Sequence, residues 1–244
     1  MKRLAFIPLL AGAIAACGLF FQGDDATKFH RVLLITVALL ASISAFITAR
    51  RFSRGDRLLT SWILFGAGYG IAAVRYGARL ASMYEPSLAL PGVANNVLAI
   101  IQNLCIAVAL LLFVLVWRST GLAMPGSRAS QIGWIVAGIL VAIVVGGYPL
   151  VQGIQTAKTN PVLIISTLGD MIGIALIVPL MMPALAMRGG SLMHTWVYLA
   201  LMEVSWLGYD ISAASGSTSV LEIFRAVAIA FGFIATVAQR RALR

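Results

Sequence analysis

Runs of apolar residues long enough to span a bilayer, separated by short polar breaks, recur along the whole chain. They predict helices over Val32–Ala49, Leu58–Ser82, Gly92–Trp117, Ile132–Val151, Pro161–Met187, His194–Ser212 and Val220–Gln239. A basic start, Met1-Lys2-Arg3, followed by the apolar run Leu4–Phe21, predicts one more helix at the N-terminus. Each of the later runs can cross a hydrocarbon core of roughly 30 Å, tilting where needed. The expected fold is all-α: a polytopic transmembrane bundle of about eight helices, forming a single integral membrane domain over residues 1–244. Short connections predict that consecutive helices pack antiparallel as neighbours, with a tight turn at Gly189-Gly190. Pro179 and Pro183 should kink the helix that holds them, because each lacks a backbone donor and crowds the preceding turn.

Composition strengthens this reading. Hydrophobic residues make up 61% of the chain and the mean hydropathy is +0.97, far from a soluble domain. The net charge of +10 does not point to nucleic acid, because the basic residues sit in short clusters beside helix ends. With the N-terminus in the cytoplasm, the internal segments hold Lys2, Arg3, Arg50, Arg51, Arg54, Arg57, Arg118, Arg128, Arg188, Arg240, Arg241 and Arg244. The external loops hold only Lys28, Arg31 and Lys158. That imbalance predicts both termini cytoplasmic, in a bacterial inner membrane. Residues 1–21 have two readings, a first transmembrane helix or a lipoprotein-type signal, since Ile14-Ala15-Ala16-Cys17 has the form of a lipoprotein cleavage box. The orientation of the later helices is the same under either. Cys17 and Cys105 both fall in apolar runs, which argues against a disulfide or a zinc site.

The polar residues inside predicted helices carry the functional signal. Of eight acidic residues, Asp170, Glu203, Asp210 and Glu222 lie within spans, where an ionised group is expensive and usually faces a protein interior. Asp210 follows Glu203 by seven residues on one helix face, with Trp206 between them, and Glu222 and Arg225 can pair three residues apart. Asn95, Asn96, Gln102 and Asn103 repeat at a seven-residue spacing; such amides either hold helices together or line a site. Arg75 and Arg79 stand one turn apart near Tyr69 and Tyr76. Arg79 either snorkels to the headgroups or faces the interior, and Arg75 is expected to need a carboxylate partner. Gly66, Gly68 and Gly70 read as close helix contacts. The simplest physical account is a set of ion pairs lining a cavity in the outer half of the bundle, with a purely structural network as the competing account.

Several functions find no support in the sequence. There is no Gly-x-Ser-x-Gly, His-Glu-x-x-His or phosphate-binding loop, Asp24-Asp25 falls in a predicted loop, and His30 and His194 lie on opposite sides. Neither an enzyme nor a cofactor or metal site is expected. The last third of the chain, through Gly169-Asp170, Pro179, Arg188-Gly189-Gly190, Trp196, Tyr209-Asp210, Arg225 and Gln239-Arg240-Arg241, resembles a known module. That module is the seven-to-eight-helix membrane region at the N-terminus of some bacterial histidine kinases and diguanylate cyclases. The resemblance implies sensing of a ligand or membrane state and transfer of the signal to a cytoplasmic output domain. No kinase or cyclase follows Arg244, so the expectation is a standalone sensor or ligand-binding module, surrounded by membrane lipids and acting through a membrane or cytoplasmic signalling partner. Arg75, Arg79 and Arg225 would hold a small anionic or amphipathic ligand. Asp170, Glu203, Asp210 and Glu222 would supply counter-charge or a proton switch, with Gln102, Asn103 and Trp206 beside them. A proton-coupled small-molecule transporter and an accessory subunit of a larger complex are the alternatives.

Overall fold

A computed structural model describes residues 5–119, 126–156, 161–187, 190, 192–214 and 218–244. They form α1 (Phe6–Cys17), α2 (Gly23–Ala49), α3 (Arg57–Ala81), α4 (Gly92–Ser119), α5 (Arg128–Thr156), α6 (Pro161–Ala186), α7 (Met193–Ala214) and α8 (Thr218–Ala242). Short 3₁₀ turns at Gly18–Phe20 and Pro86–Leu88 follow α1 and precede α4. Lys2, Arg3, Lys158, Arg188 and Gly189, which entered the reading of orientation and of the α6–α7 turn, lie outside the described residues.

Among the described residues, six helices, α2 to α6 and α8, are long and apolar enough to cross a membrane. The chain is a multi-pass membrane protein by helix length and hydropathy. α7 has 22 residues, a rise of about 33 Å, but Glu203 and Asp210 on it make it the more polar element. α1 has 12 residues, a rise of about 18 Å. Even with its 3₁₀ extension, the apolar helix Phe6–Phe20 is shorter than a full span, in place of the expected crossing by Leu4–Phe21. α2 differs in the other direction: it starts at Gly23 rather than Val32, so Arg31 is two turns inside the helix and not in a loop. Asp24 and Asp25 occupy its first turn, where the positive end of the helix dipole favours them.

Packing closes α2, α3, α4, α6, α7 and α8 into a ring in that order. α5 lies outside the ring against α6, and α1 lies outside it against α8. Consecutive helices therefore pair except at two places: α4 meets α6 rather than α5, and α1 reaches α2 mainly through the Gly18–Phe20 turn. The reasons are steric. α5 leaves Ile139, Leu140, Ile143 and Val144 exposed on the outside, and joins α6 where a side chain at Gly138 or Gly146 would strike Val178 or Met171. α1 seats Gly12 on Val227 of α8 in the same way.

Within lipid the helices gain little from removing apolar surface, so close packing and small residues hold them together. Ala38, Ala41, Ala45 and Ala49 recur on one face of α2 and are all buried. Opposite them, a Cβ at Gly66 would press on Ala45 and the Ser42 carbonyl, and the Ser42 hydroxyl donates to the Gly66 carbonyl at 2.8 Å. Gly68 plays the same part against Ile106 and the Gln102 carbonyl of α4. α6 stays helical through Pro179 and Pro183.

The half of the ring formed by the start of α3 and α7 and the end of α4 is filled by aromatic rings. Trp62 packs edge-on against Phe65 at 5.6 Å and Phe113 at 4.6 Å, and Trp196 reaches Phe113 at 6.3 Å. Phe65 continues to Tyr69 at 5.0 Å. Trp62, Phe65, Tyr69 and Phe113 are fully enclosed. Such pairs contribute about 0.5–1.5 kcal/mol each beyond their burial.

Candidate ligand-binding site

Beyond Tyr69 the interior changes character. The ends of α3 and α7, the starts of α4 and α8 and the middle of α6 surround a cavity of about 280 Å³. Arg75 and Arg79 enter it from α3, Gln102 and Asn103 from α4, Asp170 from α6, Glu203 and Trp206 from α7, and Arg225 from α8. Nearly every residue singled out on physical grounds thus meets in one place. Asp210 stands beside the cavity, near enough to Asp170 and Glu203 for the three charges to act on one another. Glu222 reaches it through Arg225.

Each charged side chain has a distinct arrangement. Arg225 Nη1 donates to both oxygens of Glu222 at 2.9 Å, and its Nη2 donates to the Tyr209 hydroxyl at 2.7 Å. This pair is the one ion pair at the cavity among the described residues. Arg75 does not take the expected carboxylate. Its Nη1 donates to Gln102 Oε1 at 2.7 Å and its Nε to Asn95 Oδ1 at 3.3 Å. The seven-residue amide repeat on α4 therefore grips one guanidinium at two points, and because amides are neutral the positive charge remains uncompensated. Arg79 lines the cavity with no side-chain partner among the described residues. It also remains exposed near the end of α3, so it borders the cavity without being enclosed by it.

The acids are arranged differently. Glu203 is 4% exposed, and its Oε1 has no hydrogen-bond partner among the described residues. Its other oxygen lies against Gly173 of α6, where a Cβ would collide with it. The absence of a side chain at Gly173 is what allows the Glu203 carboxyl to sit between the helices. A set of paired ions was expected around the cavity, and the finding is narrower. Among the described residues, no carboxylate of α6 or α7 forms an ion pair with an arginine.

Three contributors were missed by the sequence reading or misplaced by it. Tyr209 orients Arg225, Gly173 makes room for Glu203, and Arg31 of α2 stands behind Tyr76 with its Cζ 6.0 Å from the ring centroid. Arg31 Nη1 is buried without a hydrogen-bond partner among the described residues. A serine or threonine helix-start signal would have revealed Arg31, but α2 opens on Gly23 with no side-chain cap. Among the described residues, no three His, Cys, Asp or Glu side chains converge as a metal site. Cys17 and Cys105 are both free thiols.

No protein-family model, no curated protein and no solved structure matches this chain. The sensory-region resemblance rests on its own short motifs.

Proposed function

We propose that the protein is an inner-membrane sensor or ligand-binding module, whose cavity takes a small polar or charged molecule from the outer side and whose response passes to a partner protein. The basic residues at the opposite end of the bundle, including Arg50, Arg51, Arg54, Arg240 and Arg241, support both termini being cytoplasmic. On that orientation the cavity lies in the outer half. The resemblance to sensory membrane regions favours signalling over chemistry.

One observation carries this reading: Arg75 and Arg79 bring two guanidiniums to the cavity, and no carboxylate among the described residues pairs with either. An uncompensated cation within a membrane bundle is costly, and a bound ligand would remove much of that cost. Small molecules co-purifying with the wild type and with Arg79→Ala in mild detergent provide the test, read by mass spectrometry. A near-stoichiometric compound present in the wild type and lost in the variant is expected. A cavity that co-purifies nothing in either protein, and binds nothing from a polar metabolite library, sinks the proposal.

The grouping of Asp170, Glu203 and Asp210 also fits a second reading, a proton-coupled carrier that uses these acids. Uptake of the co-purified compound into proteoliposomes, driven by a pH gradient and abolished by Glu203→Gln, distinguishes a carrier from a sensor.

A further inference from the structure

The charges around the cavity are sorted by helix. Following the ring, α8, α2 and α3 contribute Arg225, Arg31, Arg75 and Arg79, whereas α6 and α7 contribute Asp170, Glu203 and Asp210. Neutral groups occupy the two seams: Gln102 and Asn103 of α4 lie between α3 and α6, and Tyr209 lies between α7 and α8. Only Glu222 stands among the cations, and it is occupied by Arg225. The four guanidiniums are near enough to repel one another around Tyr76, and the three carboxylates form their own group.

This sorting is a physical problem that the protein alone does not solve. Opposite charges attract strongly where the dielectric is low, so a purely structural network would interleave them as ion pairs, as at Glu222 and Arg225. Here the α4 amides hold Arg75 on its own side, and Gly173 lets Glu203 settle against α6 rather than swing across. Both devices keep the two arcs apart. A cavity with a cationic wall facing an acidic wall is complementary to a ligand with the reverse arrangement.

We infer that the cavity binds a small zwitterion, its acidic group against Arg75 and Arg79 and its cationic amine against Asp170 and Glu203. This rests on the ligand-binding reading above and adds the ligand's chemistry to it. Trp206 lines the same cavity as Glu203, and an aromatic ring there also favours an ammonium group. An amine-bearing acidic group occurs both in free amino acids and in the phosphoethanolamine headgroup of a lipid, so the experiment separates these sources.

The full-length protein in phosphatidylglycerol nanodiscs would be titrated with γ-aminobutyrate, glycerophosphoethanolamine, glycerol 3-phosphate and ethanolamine. At least one of the first two should bind tenfold or more tightly than either of the last two, which carry charge of one sign only. Arg79→Ala and Asp170→Asn should each reduce that affinity about tenfold, with Glu203→Gln standing in should Asp170→Asn not fold. Competition by phosphatidylethanolamine in the nanodisc identifies the headgroup as source, and its absence identifies the free solute. Glycerol 3-phosphate binding as tightly as the zwitterions, with no effect of Asp170→Asn, would overturn the inference and leave the ligand cavity standing. So would a co-purifying compound that lacks either charge. No binding by any probe and no co-purifying compound would overturn both.

Discussion

The two halves of the helix ring solve the same packing problem in opposite ways. At one end Trp62, Phe65, Phe113 and Trp196 fill the interior with interlocking rings. At the other, five helices of the same ring leave a cavity of about 280 Å³ edged by seven ionisable side chains. Tyr69 is the border: its ring packs on Phe65, and its hydroxyl donates to Met202 Sδ at 3.1 Å. Dispersion and shape hold the first half together, and nothing there asks for a ligand. The second half retains uncompensated charge at a cost that the first half must offset. On the ligand-binding reading, stability and function fall in different halves, and substitutions should separate them.

The sharpest break is expected from Trp62→Ala. Trp62 is wholly enclosed and touches two other rings, so its truncation should cost about 3–5 kcal/mol of stability. Denaturation in detergent should show that loss, while any protein that remains folded should still bind the cavity ligand. Arg75→Ala should cost less, about 1.5–3 kcal/mol, because it leaves the buried Gln102 amide without its charged donor. It should also weaken binding, which Trp62→Ala should not. Equal losses of affinity in both variants would show that the two halves act as one.

Gly173→Ala sharpens the comparison in the other direction. The new methyl would meet only the far end of the Glu203 side chain, and alanine favours a helix over glycine by about 1 kcal/mol. Thermal stability should therefore hold or rise slightly. The Glu203 carboxylate must move, so ligand affinity should change several-fold. A lowered melting temperature with unchanged binding would contradict the role given to Gly173.

Much of this was legible in the sequence because the bilayer penalises misplaced polarity so heavily. A chain that keeps Asp170, Glu203 and Arg225 within apolar runs declares an interior, and those residues do converge. Which of them touch was not legible. The partner of Arg75 depends on the rotation of α3 against α4, and a seven-residue amide spacing shows a shared face without showing what faces it. Ring order was hidden too, since a short connection between α4 and α5 argued for contact, while α6 takes that place. Arg31 was lost to the loop because the first turns of α2 are polar, and Gly173 is one glycine among 23.

The smallest expected effect concerns α1, which belongs to neither half. His30 of α2 is buried, its Nε2 lies 3.0 Å from the Ala15 carbonyl, and its ring fills the space over Gly18. One hydrogen bond of this kind is worth about 1 kcal/mol, so His30→Ala should raise amide exchange within Phe6–Phe20 about fivefold. Global melting should change little, because α1 leans on the outside of α8 and does not close the ring. The cavity is a separate readout. Arg31 is the next residue after His30, so a loosened α2 start would shift a guanidinium behind Tyr76. Faster exchange in α1 with unchanged ligand affinity would show that α1 is merely docked. A parallel loss of affinity would instead make α1 the strut that holds the cationic wall in place.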